Sequence, residues 1–568
     1  MLVDTSQRDY YNRRLGQMDT ERSSFISHWK DLSEHISPRR GRFDKQDRNK
    51  GNRRHKSIIN SKGTQALSTA RAGLFAGVMS PTRPWFDLAT TDPELTQFMP
   101  VKVWLEGVAR QLRAVFNASN LYNMAPTMLG ELLLFGTGCM TQVDDDENLA
   151  RFYTHTVGSY HIAQNDKFEV NTVARQYQMT AEQMAMEFSE DGGKDISMLS
   201  TAVRTALDRN ELGAWFDVNH FIEPNDEFRR DNPLSKFKKF KSVKYEPGNN
   251  EREMMLSMKG FDEFPAYVPR WATTGEDVYG TDCPGMVTLG DVRQLQLEEK
   301  RKAQAIDKMV NPPLTGPSTV RNVPVSQLPG GLTIYDGDSS RNKLESLYNM
   351  NINLQDLKED IMGVERRIDE AFKVDLFLAI SNMEGIQPRN QLELSQRDAE
   401  RLLQLGPVLE SIQGEFLDPL ISRTFNQLVR AELVPPAPQE LQDRPLKVEY
   451  VSSLAQAQRS IDTQGLDRLT AYTAGLMEAG LSDGKKFNAD IAIERYADFL
   501  GTPPKILVDA KVVAEGRAAD QAKQQQAEQL QAAQQGAQAL ASAGQAAQAV
   551  GSIDSEGANP VADLLKQG

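Results

Sequence analysis

Several residue groups in this chain have the types a chemical site needs, and each also has a plainer packing role. Asp144-Asp145-Asp146-Glu147 offers carboxylates, the donors hard cations take. Consecutive acids cannot all face one ion and no loop glycine follows at the right spacing, so the run reads as a solvated turn after a buried strand. His155 and His161 lie six apart with no Cys or Glu at ligand spacing, and read as polar residues of a strand and a loop. Gly136-Thr137-Gly138 lacks the trailing Gly-Lys-Ser/Thr of a phosphate loop, and Pro329-Gly330-Gly331 has no helix start behind it. There is no Gly-x-Ser-x-Gly elbow, and no Cys/His or Ser/His/Asp set can be nominated. The chain is therefore expected not to be an enzyme, and to need no metal and no cofactor.

Two basic patterns point to binding instead. Lys236-Phe237-Lys238-Lys239-Phe240-Lys241 alternates basic and aromatic residues, which suits either stacking on single strands or an edge strand guarded by lysines. Residues 39–56 carry nine Lys/Arg against Asp44 and Asp47, a local balance of +7. This is either a solvated loop or a contact for DNA or an acidic partner, with Arg39, Arg40, Arg42, Arg53 and Arg54 as the candidate binding residues.

The elements that would position these residues follow from size and pattern. With 568 residues the chain exceeds a single core and must form several domains or one large elongated subunit. Its hydrophobic content of 39% can build cores. Two cysteines, Cys139 and Cys283, make no disulfide framework, so a reducing compartment and packing roles are expected. Residues 1–30 lack the apolar core of a signal peptide and no run approaches a membrane span, so a route through or across a membrane is not expected. A net charge of −13 excludes a protein that grips DNA over a broad surface, because such grip comes from Lys and Arg neutralising phosphates.

The pattern predicts a helix over 5–36, another over 57–79, then Ser80-Pro81-Thr82-Arg83-Pro84 as a stiff turn before buried Trp85 and Phe86, and helices over 93–118 and 121–135. Residues 138–270 read as a lateral α+β domain, with strands near 138–177, 215–223, 237–245 and 264–270 and one helix over 180–209. From Tyr279 to Arg430 a charged helix over 288–310 stops at Asn311-Pro312-Pro313. A Pro/Gly-rich excursion with short strands runs to Tyr348, and a second, acid-rich helix covers 353–373. That second helix carries Asp356, Glu359, Asp360, Glu365, Asp369 and Glu370 against Lys358, Arg366, Arg367 and Lys373. Such an order makes a small subdomain on a two-helix stalk, each helix roughly 30 Å long. Beyond it come an irregular loop to 390, a helix capped by Asn390 with Glu393 and segmented at Gly406-Pro407 and Pro419, a Pro-rich linker over 433–445 and a strand over 446–451. Helix over 453–500, broken at Gly480–Gly484, and an Ala/Gln-rich tail over 517–549 complete a fold of the α+β class that is predominantly α-helical.

The Ser80-Pro-Thr-Arg-Pro-Trp-Phe86 block, Tyr279-Gly280 with Cys283-Pro284-Gly285, the Pro312-Pro313 helix end, Asn390-Gln-Leu-Glu-Leu-Ser-Gln-Arg397 and Val451-Ser-Ser-Leu-Ala-Gln-Ala-Gln458 stand in an order that resembles the head-to-tail connector, or portal protein, of short-tailed bacteriophages with T7-like virions. The resemblance covers residues 5 to 525. It departs at Asn390-Gln391-Leu392-Glu393, where the family often has a Thr-Ala-Thr-Glu type of helix start, although Asn caps equally well.

The resemblance implies a dodecameric ring at one capsid vertex of the virion. By the same resemblance, that ring is expected to conduct double-stranded DNA without sequence specificity. It implies an N-terminal and wing region over 1–275, stem helices over 276–310 and 351–373, a clip over 311–350, and a tunnel loop over 374–390. A connecting helix over 391–445, a crown over 446–516 and a C-terminal barrel or disordered tail over 517–568 follow. Implied partners are the terminase large subunit and then a tail adaptor at the clip, with major capsid, scaffolding and internal core or ejection proteins around the ring. On that basis Arg389, Lys373, Arg366 and Arg367 are DNA-facing candidates, which could equally pair with stem acids such as Asp369 and Glu370 of neighbouring subunits. Arg321, Tyr335 and Arg341 are docking candidates on the clip. An internal scaffold or core protein that never touches DNA is the rival expectation, supported by the acidic balance and the Ala/Gln tail. A motor enzyme is a third, disfavoured by the missing phosphate loop.

Overall fold

The computed structural model describes residues 5–44, 51–92, 95, 98–189, 195–232, 234–248, 255–316, 318, 321, 325–326, 345–346, 354–383, 405–441, 446–450, 453–479, 486–500, 508 and 510–551. The chain divides into two compact units, 1–479 and 480–568.

In the first unit, α1 (Thr5–His35) runs as expected to the Ser37-Pro38 stop. It serves two cores. Tyr11, Leu15 and Met18 pack with Phe221, Val243 and Tyr245, whereas Trp29 and Leu32 join the main core. The helix α2 (Lys62–Met79) starts later than the pattern predicts and presents a face of small residues, Gly63, Ala66, Ala70, Gly73 and Gly77. After the proline turn, Trp85 and Phe86 are buried as expected, and the Trp85 indole N–H donates to the Tyr122 hydroxyl at 3.1 Å. Phe86 opens β1 (Phe86–Thr90), which the sequence reading did not assign. The next helix, α3 (Met99–Ala118), begins at 99 rather than 93, because Pro100 is tolerated only in a first turn. It is followed by α4 (Leu121–Phe135).

The α+β region holds two antiparallel sheets. One has the order β3–β2–β9, formed by β2 (Cys139–Asp145), β3 (Leu149–His155) and the short β9 (Ala266–Tyr267). The other has the order β4–β5–β6–β7–β8, formed by β4 (Tyr160–Gln164), β5 (Val170–Thr180), β6 (Trp215–Pro224), β7 (Phe240–Tyr245) and β8 (Ser257–Phe261). The single helix expected over 180–209 is instead two, α5 (Ala181–Phe188) and α6 (Thr201–Asp208). Each has its own cap: Thr180 forms a capping box with Gln183, and the Ser200 hydroxyl accepts from the Val203 N–H.

The stalk then follows. α7 (Pro284–Val310) starts four residues before the expected Thr288, since Pro284 suits the first turn and the Cys283 sulfur accepts from the Met286 N–H. Where the excursion leaves and returns, β10 (Leu314–Thr315) pairs antiparallel with β11 (Glu345–Ser346); most of the excursion lies outside the described residues. α8 (Leu354–Ala371) returns along α7.

The segment expected as an irregular loop over 374–390 is helical in its first part, α9 (Val374–Met383), because Leu376 and Phe377 bury against α2. Its remainder lies outside the described residues. The capped start at Asn390 does too. Gly406-Pro407 opens α10 (Gly406–Ile412), and ahead of Pro419 the chain makes a π-turn over Gln413–Leu417 before α11 (Asp418–Arg430). Finally β12 (Leu446–Tyr450) pairs with β1 in the register Phe86↔Tyr450 to Thr90↔Leu446, and α12 (Ser453–Glu478) closes the unit.

The second unit contains α13 (Ala489–Leu500) and α14 (Ala510–Gly551), a single 42-residue helix through the Ala/Gln-rich tail. Arg517 and Asp490 form an exposed two-bonded ion pair at 2.5 and 2.8 Å.

Candidate functional site

The described part of the stalk is an antiparallel pair held by a buried seam of Val292 and Leu295 with Ile361, Val364 and Ile368. Polar bonds fix its register. The Arg367 guanidinium donates to Asp291 at 2.9 Å, and Lys62 of α2 pairs with Asp369 at 2.5 Å. The buried Gln296 amide clamps the chain entering α2. Its oxygen accepts from the Ile59 and Asn60 N–H groups at 2.6 and 2.8 Å, and its nitrogen donates to the Asn60 carbonyl at 2.9 Å. The Asn60 side chain in turn donates to Glu365 and Glu299, joining both stalk helices to the end of the basic loop.

Within this frame the candidate cations separate. Arg366 is well exposed and donates to Glu370 of its own helix at 3.1 Å, and Arg367 is taken by Asp291. Each of these two arginines is thus paired with an acid of its own chain. Lys373 sits at the joint between α8 and α9 with φ 53, a left-handed conformation that ends the helix. Arg321 is exposed. Arg389, Tyr335 and Arg341 lie outside the described residues.

The basic loop is anchored at its start as well as at its end. Arg42 donates its backbone N–H to the Val157 carbonyl at 2.8 Å, and Gly41 donates to the Thr156 hydroxyl at 2.7 Å. Arg40 lies 3.8 Å from Glu131, a fully buried carboxylate that also accepts from Thr156 at 2.8 Å and the Val157 N–H at 3.2 Å. Burial pushes the Glu131 carboxyl up to about 7, with Arg40 and the hydrogen bonds acting against the rise. Arg40 thus has a structural counter-ion, whereas Arg39 and Arg53 are exposed and Arg54 is half-buried.

The other singled-out groups resolve into packing. His155 bonds Thr141 at 2.9 Å, and burial pulls its pKa well below the usual histidine range. His161 faces Asp19 at 3.2 Å and is pulled to about 4 by burial and Arg22. Burial pushes both cysteine thiols up to about 12, which keeps them protonated and unreactive at neutral pH. Gly136 and Gly138 serve close backbone packing: a side chain on Gly280 would meet the Gly136 carbonyl oxygen at 2.0 Å.

The lysine-guarded strand is not an edge. β7 is flanked by β6 and β8, and lysines of the run pair with acids, Lys238 just ahead of the strand with Asp262 at 2.9 Å and Lys241 within it with Glu223 at 3.0 Å. Asp144 is likewise more than a solvated turn. It accepts from the buried Arg423 of α11 at 3.3 Å and from Gln427 at 2.5 Å.

Sequence reasoning missed the junction between the sheets and the π-turn. Glu415 accepts from the Arg270 backbone N–H at 2.8 Å, from its Nε at 3.0 Å and from its Nη2. The Arg270 guanidinium also donates to the Phe168 carbonyl at 2.8 Å and the Gln164 side chain at 3.1 Å. The only available signal was a proline inside a helical pattern.

A stalk of two charged helices with an excursion at its tip and an α+β body beside it is the frame of a structural connector. The chain belongs to the bacteriophage head to tail connecting proteins, whose family model matches residues 8–507. Its relatives within that family are portal proteins. The portal protein of Salmonella phage epsilon15 is 39% identical over 524 residues, 92% of this chain and 93% of its own. The probable portal protein of Bordetella phage BPP-1 is 41% identical over 532 residues, 93% of each. Neither supports the internal-scaffold alternative. Among solved structures, a chain of the virion of native gene transfer agent (GTA) particle aligns over 80% of this chain and 99% of its own, at 11% identity and a TM-score of 0.31, too low to carry an architectural argument.

Proposed function

We propose that this portal subunit closes into a dodecameric ring at one capsid vertex, and that double-stranded DNA enters and leaves the head through the lumen. The observation that carries this reading is the stalk, an antiparallel α7–α8 pair whose ends are drawn together at the base of the excursion by β10 and β11. In this reading α7 and α8 are the stem and residues 311–350 the clip, which docks the terminase large subunit during packaging and a tail adaptor afterwards. Arg321, Tyr335 and Arg341 contribute to that surface. The 374–390 segment, with Lys373 before it and Arg389 near its end, reaches the narrowest part of the lumen. The acid-rich α8 keeps a passing duplex from sticking, because like charge raises the local potential against phosphate. The exposed arginines of the 39–56 loop meet capsid, scaffolding or internal core proteins. Purified protein imaged in negative stain is expected to show closed rings with an axial hole. A monomer stable at micromolar concentration would overturn the proposal.

A further inference from the structure

The two stalk helices carry opposite charge on the sides they turn away from each other. On α7, Leu297, Lys300, Arg301 and Lys308 are exposed and recur at helical spacing, roughly 120–160° around the axis from the buried Leu295, with Asp307 the one exposed acid on that arc. Among the described residues no acid pairs with Lys300, Arg301 or Lys308; the neighbouring Lys302 is the one that bonds Glu299. On α8, Met362 and Arg366 lie roughly 100–140° around the axis from Arg367, the residue that reaches α7. That side holds exposed Glu359, Met362 and Glu370 and borders a groove of ≈ 280 Å³. Glu365, Asp369, Glu370 and Asp375 line the groove against two cations, Lys62 and Arg366.

Within one chain these surfaces face apart, so neither can neutralise the other. We propose that the basic stripe of α7 seats on the acidic face and groove of α8 in the next copy of this chain. Leu297 and Met362 are then the apolar centre of the contact, and Lys300 and Arg301 enter the groove. Such a contact is head-to-tail: each copy offers a different surface at each side, so repetition generates a ring where the rotation closes. The charge complementarity sets orientation and rejects the reversed pairing. This inference rests on the ring reading above, and it withdraws Lys300 and Arg301 from the duplex.

Two charge reversals test it, Lys300→Glu with Arg301→Glu, and Glu359→Lys with Glu370→Lys, each read by native mass measurement and electron microscopy at about 0.1 M salt, where exposed charges are only partly screened. Each reversal alone is expected to lose the ring fraction. Both reversals in one chain, or an equimolar mixture of the two variants, should restore it. Loss without restoration would mean damaged folding, not a lost contact, and would overturn the inference. So would an α7 reversal that assembles normally, and if its rings then fail to hold double-stranded DNA, the stripe faces the duplex. Wild-type protein that makes no ring would sink the ring reading itself.

Discussion

Glu131 lies beneath the start of the basic loop, where burial holds its carboxyl at about 7 against an ordinary 4.5. A carboxyl raised in the folded state leaves the unfolded chain holding fewer protons between those values. Its stabilising contribution is therefore complete below pH 4.5 and is lost as pH rises through 7, a change on the order of 3 kcal/mol. His161 works in the opposite sense: held at about 4 against 6.5, it contributes stability above pH 6.5 that is lost as pH falls through 4. The difference between wild type and Glu131→Gln isolates the first effect. Thermal unfolding from pH 4.5 to 8 is expected to show the variant declining less, and parallel profiles would refute the assignment. At the same scale, Arg270 is buried with Glu415 as its only acidic partner among the described residues. Replacing Glu415 by Ala strands that charge and is expected to cost about 3 kcal/mol in denaturant unfolding. Neither site was legible in the sequence, because a lone Glu in an apolar helix and an Arg after a short strand acquire meaning only from partners on other elements, 25 to 145 residues away.

Helix boundaries follow local chemistry, and most were readable from it. Pro284 and Pro100 sit in first turns, Ser37-Pro38 stops α1, and Pro312-Pro313 follows the end of α7. The helix over 374–383 was not readable, because what orders it is α2. A methyl group on Gly73 would lie 2.3 Å from the Phe377 Cβ, so the two helices are closer than any side chain permits. Gly73→Ala is expected to cost about 1–3 kcal/mol and to speed hydrogen exchange of the 374–383 amides. Adding Phe377→Ala should not rescue it, because the clashing carbon remains. The π-turn has a similar origin. Pro419 has no N–H for the carbonyl of residue 415, and the Asp418 N–H donates five residues back to Gln413 instead. That wider turn frees Glu415 for Arg270.

At the scale of the whole molecule, the 517–568 tail belongs to the second unit, and the described seam of the stalk, Val292, Leu295, Ile361, Val364 and Ile368, is built from residues of the first. A chain ending at 516 is therefore expected to close its ring as the full chain does, measured by native mass; a truncated chain that stays monomeric would move the assembly determinant into the tail. By itself, the sequence determined the predominantly helical α+β class, the stalk and excursion order, the burial of Trp85 and Phe86, and the absence of a phosphate loop. These are written in local periodicity, prolines and composition, which act within a few residues. Only the tertiary structure decided that β1 closes against β12 across some 350 residues of chain, that β7 lies inside its sheet, and that Arg366 and Arg367 bond acids of their own chain. Strand partners and ion pairs depend on which surfaces burial brings together, and hydrophobic burial has no direction along the sequence.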